Sequence, residues 1–206
     1  MEPIPLAAAL LVLLGTAMAL RATNGRLTVV GLGLALAPLP LVAGDPPAPL
    51  VLAFRTVAVL VALFLLDHAV RRTTALVGPI RLGGSAEVGV IVAAWVLGAL
   101  LGATATDPRG PALAMASASA LAMGGLTLIA FGHDSLRLGT GAALALAAAT
   151  ALVPAFGGAA DTALELTFAV ALLATAGATA WLGLVGARVR HDLELADRPR
   201  DLRDAG

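Results

Sequence analysis

The 206-residue chain contains no cysteine, no lysine and few charged residues of any kind. Without cysteine it cannot form a disulfide, ligate an iron–sulfur cluster through thiolates or use a catalytic thiol. Charged residues make up 13% of the chain and hydrophobic residues 59%, whereas a soluble domain is roughly one-quarter charged. Such a chain cannot cover itself with polar surface, so we expect the lipid bilayer to be its solvent. The net charge of zero gives no indication of nucleic-acid binding.

The sequence also lacks a recognisable catalytic motif. Its three histidines, His68, His133 and His191, are far apart, and none lies in the middle of an apolar run. The glycine-containing stretch GLGLAL lies inside an apolar run with no strand before it, so it is not a dinucleotide fingerprint. The chain has no phosphate-binding loop and no nucleophile paired with a base. We therefore predict that it carries no catalytic residue, no metal and no cofactor of its own.

Long apolar runs are the main feature that is present. The beginning, MEPIPLAAALLVLLG, has no basic segment, so we interpret it as a membrane helix and not as a cleaved signal peptide. A membrane span needs about 20 apolar residues, and its backbone must be satisfied internally, which favours helices. The sequence predicts an all-α, polytopic membrane helix bundle with about seven transmembrane helices. The predicted spans are residues 4–20, 27–43, 50–66, 88–105, 111–131, 140–156 and 164–186.

The arginines indicate an orientation for these spans. Eleven of the thirteen lie in the turns 21–26, 67–87 and 132–139 or in the C-terminal tail, all on the side of the C-terminus. The opposite side holds only Arg109, and Arg55 lies within a span. Because positive residues accumulate on the cytoplasmic side, we predict an outside N-terminus and an inside C-terminus. Residues 1–186 are then a single transmembrane domain in a prokaryotic inner membrane, and residues 187–206 a charged cytoplasmic tail.

Two segments raise the hypothesis of an internal repeat. Residues 15–37 and 125–147 each leave a span, pass through a short polar turn with arginine and enter a Gly/Ala-rich span. Spans 1 to 3 (1–72) then correspond to spans 5 to 7 (111–190). An offset of four spans preserves orientation, so this would be a parallel repeat. The alternative is the chance similarity of Ala/Leu/Gly-rich segments.

Four ionisable residues are candidates for function. Arg55 and Glu165 lie about one turn inside the outer ends of spans 3 and 7, where a charge is by default a functional hypothesis. We predict that they form an intramembrane charge pair or part of an ion path. The alternatives are snorkelling of Arg55 to the interface and a helix-dipole role for Glu165. At the inner end, Asp67 and His68 could relay protons, or could belong to an interfacial cluster at a helix end.

The last three spans support a family resemblance. Their order is an apolar span, the turn GHDSLRLG, a Gly/Ala/Leu-rich span, a short loop, and then ALELTFAVALLATAGATAWLGLVGARVR followed by a charged tail. This order resembles component E of hydrogenase-4 and formate-hydrogenlyase-type complexes, which is similar to the K subunit of complex I and the C subunit of Mrp antiporters. That family has an acid in the middle of the span after the arginine-bearing turn, whereas this chain has TGAALALAAATALVP.

The resemblance implies a non-catalytic membrane subunit of a proton- or sodium-coupled redox complex. Its implied partners are the lipid bilayer, antiporter-like membrane subunits and iron–sulfur or hydrogenase-type subunits. Arg55 lies roughly where the family has a basic residue, and Glu165 matches an acid near the start of the last span. A stand-alone small permease and a membrane scaffold without transport are the competing hypotheses.

Overall fold

The computed structural model describes residues 3–43, 48–73, 84–104, 111–156, 158 and 161–196. Within these ranges the chain forms seven α-helices and no strand, which confirms the predicted helical bundle. Arg81 and Arg109, which contributed to the predicted orientation, lie outside the described residues, as do residues 197–206 of the predicted tail. The helices are α1 (Pro3–Arg21), α2 (Gly25–Leu36), α3 (Pro49–Thr73), α4 (Gly84–Ala103), α5 (Pro111–Phe131), α6 (Ser135–Ala155) and α7 (Thr162–Ala196).

Of the seven helices in the described ranges, six are long and apolar enough to cross a membrane, and α2 is the exception. The predicted second span, residues 27–43, is divided: α2 ends at Leu36, and a 3-10 turn follows at Leu39–Leu41. Pro38 and Pro40 explain the division, since proline has no N–H for the helical ladder and its ring clashes with the preceding turn. Twelve α-helical residues extend about 18 Å, less than the roughly 30 Å hydrocarbon core.

Many of the buried positions of the bundle hold small side chains, and many of its large apolar residues face outward. Ala9, Ala35, Ala62 and Ala147 are completely buried, while side chains such as Phe64 are two-thirds exposed. This distribution suits lipid as the solvent, because small residues let helix backbones approach closely, and large apolar side chains are compatible with acyl chains. The composition and the burial pattern therefore both fit a multi-pass membrane protein.

Three helix pairings position the polar residues. Helix α1 packs against α2, α5 against α6, and α3 runs along α7. Gly25, at the start of α2, lies against Val70 near the end of α3 and against Leu136 at the start of α6. The turns between α1 and α2 and between α5 and α6 therefore share one end of the bundle with the end of α3. The beginnings of α3 and α7 lie at the opposite end.

Candidate functional site

The structure brings Arg55 of α3 and Glu165 of α7 into direct contact. The Arg55 Nη1 atom lies 2.8 Å from Oε1 and 3.0 Å from Oε2 of Glu165, so one guanidinium nitrogen donates to both carboxylate oxygens. The two side chains are only 6% and 8% exposed. Arg55 lies in the second turn of α3 and Glu165 in the first turn of α7, and the packing of the bundle closes the pair off from its surroundings.

Two further side chains enclose the guanidinium. Arg55 Nη2 lies 3.5 Å from Oγ1 of Thr150 on α6, at the long limit for a hydrogen bond. The Thr150 hydroxyl donates its own proton to the Ala147 carbonyl at 2.8 Å, which leaves an oxygen lone pair facing Arg55. The ring of Phe168 lies 4.6 Å from Arg55 Cζ, within the range of a cation–π contact. The site is thus built from α3, α6 and α7, and it is neutral as a unit.

The geometry bears directly on what this site can do chemically. Within the described residues, both oxygens of Glu165 accept hydrogen bonds from Arg55, and Arg55 Nε is buried with no hydrogen-bond partner. A carboxylate that carries protons or cations must be released from its counter-ion during each cycle. Transport through this pair therefore requires that α3 and α7 separate or that the Arg55 side chain changes its conformation. In the observed arrangement the pair is a polar link between two helices.

The second candidate pair, Asp67 and His68, is arranged differently. Asp67 Oδ2 accepts a hydrogen bond from Arg71 Nε at 2.6 Å, one helical turn further along α3. His68 is exposed and stacks on Phe64, with ring centroids 6.1 Å apart. These contacts place Asp67 and His68 on the outer surface of α3, an arrangement that favours the interfacial cluster over a buried relay.

Arg137 is a buried charged residue that the sequence reasoning did not single out. The sequence predicts a turn at Arg137, but α6 begins at Ser135, so Arg137 lies in the first turn of this helix and is only 3% exposed. Its Nη2 atom donates to the Ala22 carbonyl at 3.3 Å, and its Nε lies 3.5 Å from Oδ2 of Asp134. Glu87 of α4, only 5% exposed, also interacts favourably with Arg137 through its charge.

Arg137, Asp134 and Glu87 form a second polar cluster, and the sequence contains a signal for part of it. Asp134 is followed by Ser135 and an apolar periodic run, and Asp is a preferred residue immediately before a helix. The Asp134 side chain accepts a hydrogen bond from the Arg137 backbone N–H at 2.8 Å, as a helix N-cap does. Recognising this cap would have started the helix five residues earlier and placed Arg137 inside the bundle. Glu87, on α4, had no comparable signal.

Across the described ranges, no group of three or more His, Asp or Glu side chains could hold a metal ion. Family models, curated proteins and solved structures were compared with the chain, and none matches. The resemblance to hydrogenase-4 component E therefore stays a prediction based on the order of motifs in the sequence.

Proposed function

We propose that this chain is a non-catalytic integral membrane subunit of a multisubunit proton- or sodium-coupled redox complex, of the membrane-bound hydrogenase or complex I-like class. It packs beside antiporter-like subunits in the inner membrane of a prokaryote. Iron–sulfur or hydrogenase-type subunits of the same complex carry out the electron transfer. The family resemblance supports this class of complex, and the helical bundle is compatible with it.

The observation that carries the proposal is the neutral, enclosed state of the Arg55–Glu165 pair. The two charges satisfy each other within the chain, and no ionisable residue follows Arg137 in the rest of α6. A helix bundle that conducts protons needs acids or histidines within its spans. The distribution of polar groups therefore supports a subunit that packs and supports its neighbours.

The outer surface is compatible with such packing. Helix α4 exposes large apolar side chains over most of its length, including Leu97, Leu100 and Leu101, each at least 59% exposed. Helix α3 does the same with Leu60 and Phe64. In lipid these surfaces can face acyl chains or the apolar faces of neighbouring subunits, and assembly into a larger complex needs no change in the bundle.

The test is purification of a tagged chain from its native membrane in a mild detergent, followed by mass spectrometry of the co-purifying proteins. We expect antiporter-like and iron–sulfur subunits at stoichiometric amounts. An unrelated multi-pass protein with the same tag is the matched control, since it reports non-specific co-purification. A chain that migrates alone after several mild extraction conditions would contradict the proposal.

A stand-alone permease is the second candidate, and the division of α2 favours it. Transporters place substrates beside interrupted helices, whose free backbone groups bind ions or polar solutes. Here α2 ends at Leu36, and the backbone continues as a 3-10 turn at Leu39–Leu41. Reconstitution of the purified chain in liposomes tests this function. Solute or cation uptake that is abolished by Pro38→Ala would support the permease, and absence of uptake would contradict it.

A further inference from the structure

Equivalent turns introduce α2 and α6 in the two halves of the chain. Asn24 and Asp134 are 110 residues apart, and each is the N-cap of the helix that follows. The Asn24 side chain accepts a hydrogen bond from the Arg26 N–H at 3.0 Å, and Asp134 accepts one from the Arg137 N–H at 2.8 Å. The repeat predicted from the sequence therefore has a counterpart in local structure at this offset.

The helix crossings that flank these turns share the same offset. A Cβ atom added at Gly15 would meet the backbone of Gly31 and Ala35, with the Gly31 carbonyl oxygen 2.7 Å away. The same addition at Gly125 would lie 2.7 Å from the Gly141 carbonyl oxygen and 2.9 Å from the Ala145 nitrogen. Gly125, Gly141 and Ala145 thus lie 110 residues after Gly15, Gly31 and Ala35, respectively. Helices α1 and α2 thus cross through the same glycine contact as α5 and α6.

Helices α3 and α7 show the closest correspondence. From Arg55 and from Glu165 onward, their described side chains are buried at the same seven relative positions. These positions are 55, 58, 59, 62, 66, 69 and 70 of α3, and 165, 168, 169, 172, 176, 179 and 180 of α7. Each helix of the first half also contacts its counterpart, α1 with α5, α2 with α6 and α3 with α7. Such contacts are those of two like units facing each other across a two-fold axis.

We infer that the chain consists of two structurally similar halves that pair along α3 and α7. Arg55 and Glu165, at equivalent positions, make the pairing of the first half with the second half specific. Two copies of the chain could instead pair through the same half of each, with α3 against α3 or α7 against α7. Arg55 would then face Arg55, or Glu165 would face Glu165. Two buried like charges have no counter-ion, so such pairing is strongly disfavoured. The opposite charges at these two equivalent positions thus favour pairing of the first half with the second half.

The environment of the pair provides a sharper test than a charge exchange alone. Phe168 contacts the guanidinium from α7, and its counterpart on α3 is Ala58, which is also buried. If the two positions are equivalent, the charge pair and its aromatic contact can be exchanged between α3 and α7. We expect Arg55→Glu and Glu165→Arg each to lose most of the folded protein, because each creates a like-charge pair. The double reversal should recover part of it.

The four-residue exchange, which adds Ala58→Phe and Phe168→Ala to the double reversal, should recover more. The measurements are the yield of monodisperse protein in mild detergent and its thermal midpoint. A four-residue exchange that is less stable than the double reversal would overturn the equivalence of the two sites.

Disulfide trapping gives a second measurement that leaves the charges in place. The absence of native cysteine makes the parent chain a clean background. The first cysteine pair combines Ala62→Cys and Leu172→Cys. These positions lie seven residues beyond Arg55 and Glu165 on their helices, and both are buried. The matched control, Leu60→Cys with Val170→Cys, has the same offset, but both of its positions face outward. A disulfide requires Cα atoms within about 7 Å, so we expect the first pair to close and the control to stay reduced.

Closure is detected by introducing a protease site between residues 105 and 110 and cleaving the full-length, oxidised protein. The two fragments of the first pair should stay together on a non-reducing gel and separate on a reducing gel. Separation of these fragments without reductant, from a protein that remains folded, would overturn the proposed register of α3 and α7. Closure of the outward-facing control would overturn it as well.

Discussion

Removing either partner of the Arg55–Glu165 pair leaves the other as a buried charge. Because the two side chains are 6% and 8% exposed, water cannot replace the lost partner without local opening of the bundle. Breaking a buried ion pair from one side destabilises a protein by about 3–5 kcal/mol. We therefore expect both Arg55→Ala and Glu165→Ala to lower the free energy of unfolding by this order of magnitude and to impair assembly into the complex.

The surroundings of the pair predict which single change is worse. After Glu165→Ala, the guanidinium still contacts the Phe168 ring, and a desolvated cation–π contact contributes about 2 kcal/mol. After Arg55→Ala, the carboxylate loses the hydrogen bonds that it receives in the described part of the chain. We expect a loss of about 3 kcal/mol for Glu165→Ala and of about 5 kcal/mol for Arg55→Ala.

The double change, Arg55→Ala with Glu165→Ala, should be no worse than either single change, because it removes both charges together. The free energy of unfolding of all four proteins can be measured in one lipid or detergent system. The exposed pair Asp67–Arg71, 31% and 60% exposed, provides a matched control cycle in which each change should stay below about 1 kcal/mol. Additive losses at Arg55 and Glu165, within about 0.5 kcal/mol, would refute the reasoning.

Three further changes test the packing and the second polar cluster. Gly125→Val should prevent close packing of α5 on α6 and lose at least about 2 kcal/mol of unfolding free energy, whereas Gly177→Val, where an added Cβ meets nothing within 4 Å, should not. Arg137→Ala should destabilise the protein by about 1.5–3 kcal/mol through loss of its charged hydrogen bond to the backbone, in contrast to the exposed Arg72→Ala. Phe168→Leu should retain the apolar volume but lose about 2 kcal/mol with the cation–π contact. Denaturant titration of each purified variant measures these differences. Equal effects of Gly125→Val or Arg137→Ala and its control, or an unchanged stability of Phe168→Leu, would contradict the corresponding prediction.

The sequence was sufficient to predict the helical bundle, because a lipid solvent restricts the secondary structure of an apolar span to helices. Apolar runs of span length can satisfy their backbone in lipid only as helices, and six of the predicted runs are long apolar helices in the structure. The division of the second run was harder to foresee, since Pro38 and Pro40 were visible but their effect depends on local packing. The predicted start of α6 is wrong because a charged residue such as Arg137 is typical of a turn, whereas the Asp134 cap places it in the helix.

The charge pair could be suggested but not established from the sequence. Depth within a span made Arg55 and Glu165 candidates for each other, yet many arginines at such depth extend to the interface alone. What the sequence could not supply was the lateral arrangement that sets α3 against α7. That arrangement depends on close packing of small residues on several helices at once, and Ala/Gly-rich faces are too similar to one another to indicate a unique neighbour.

A buried ion pair is weak support for stability in itself, because desolvation offsets much of the attraction between the charges. An apolar pair of similar volume would hold α3 and α7 together as well. It would, however, equally allow other registers of the two helices and pairing of the same half from two copies of the chain. Selectivity is low throughout this bundle, because helix faces made of small residues pack against one another in many registers. Arg55 and Glu165 supply the missing selectivity, because only one pairing of the halves neutralises both charges. Because Arg55 lies in the second turn of α3 and Glu165 in the first turn of α7, the pair fixes the register near one end of these helices and leaves their middle turns free of charge.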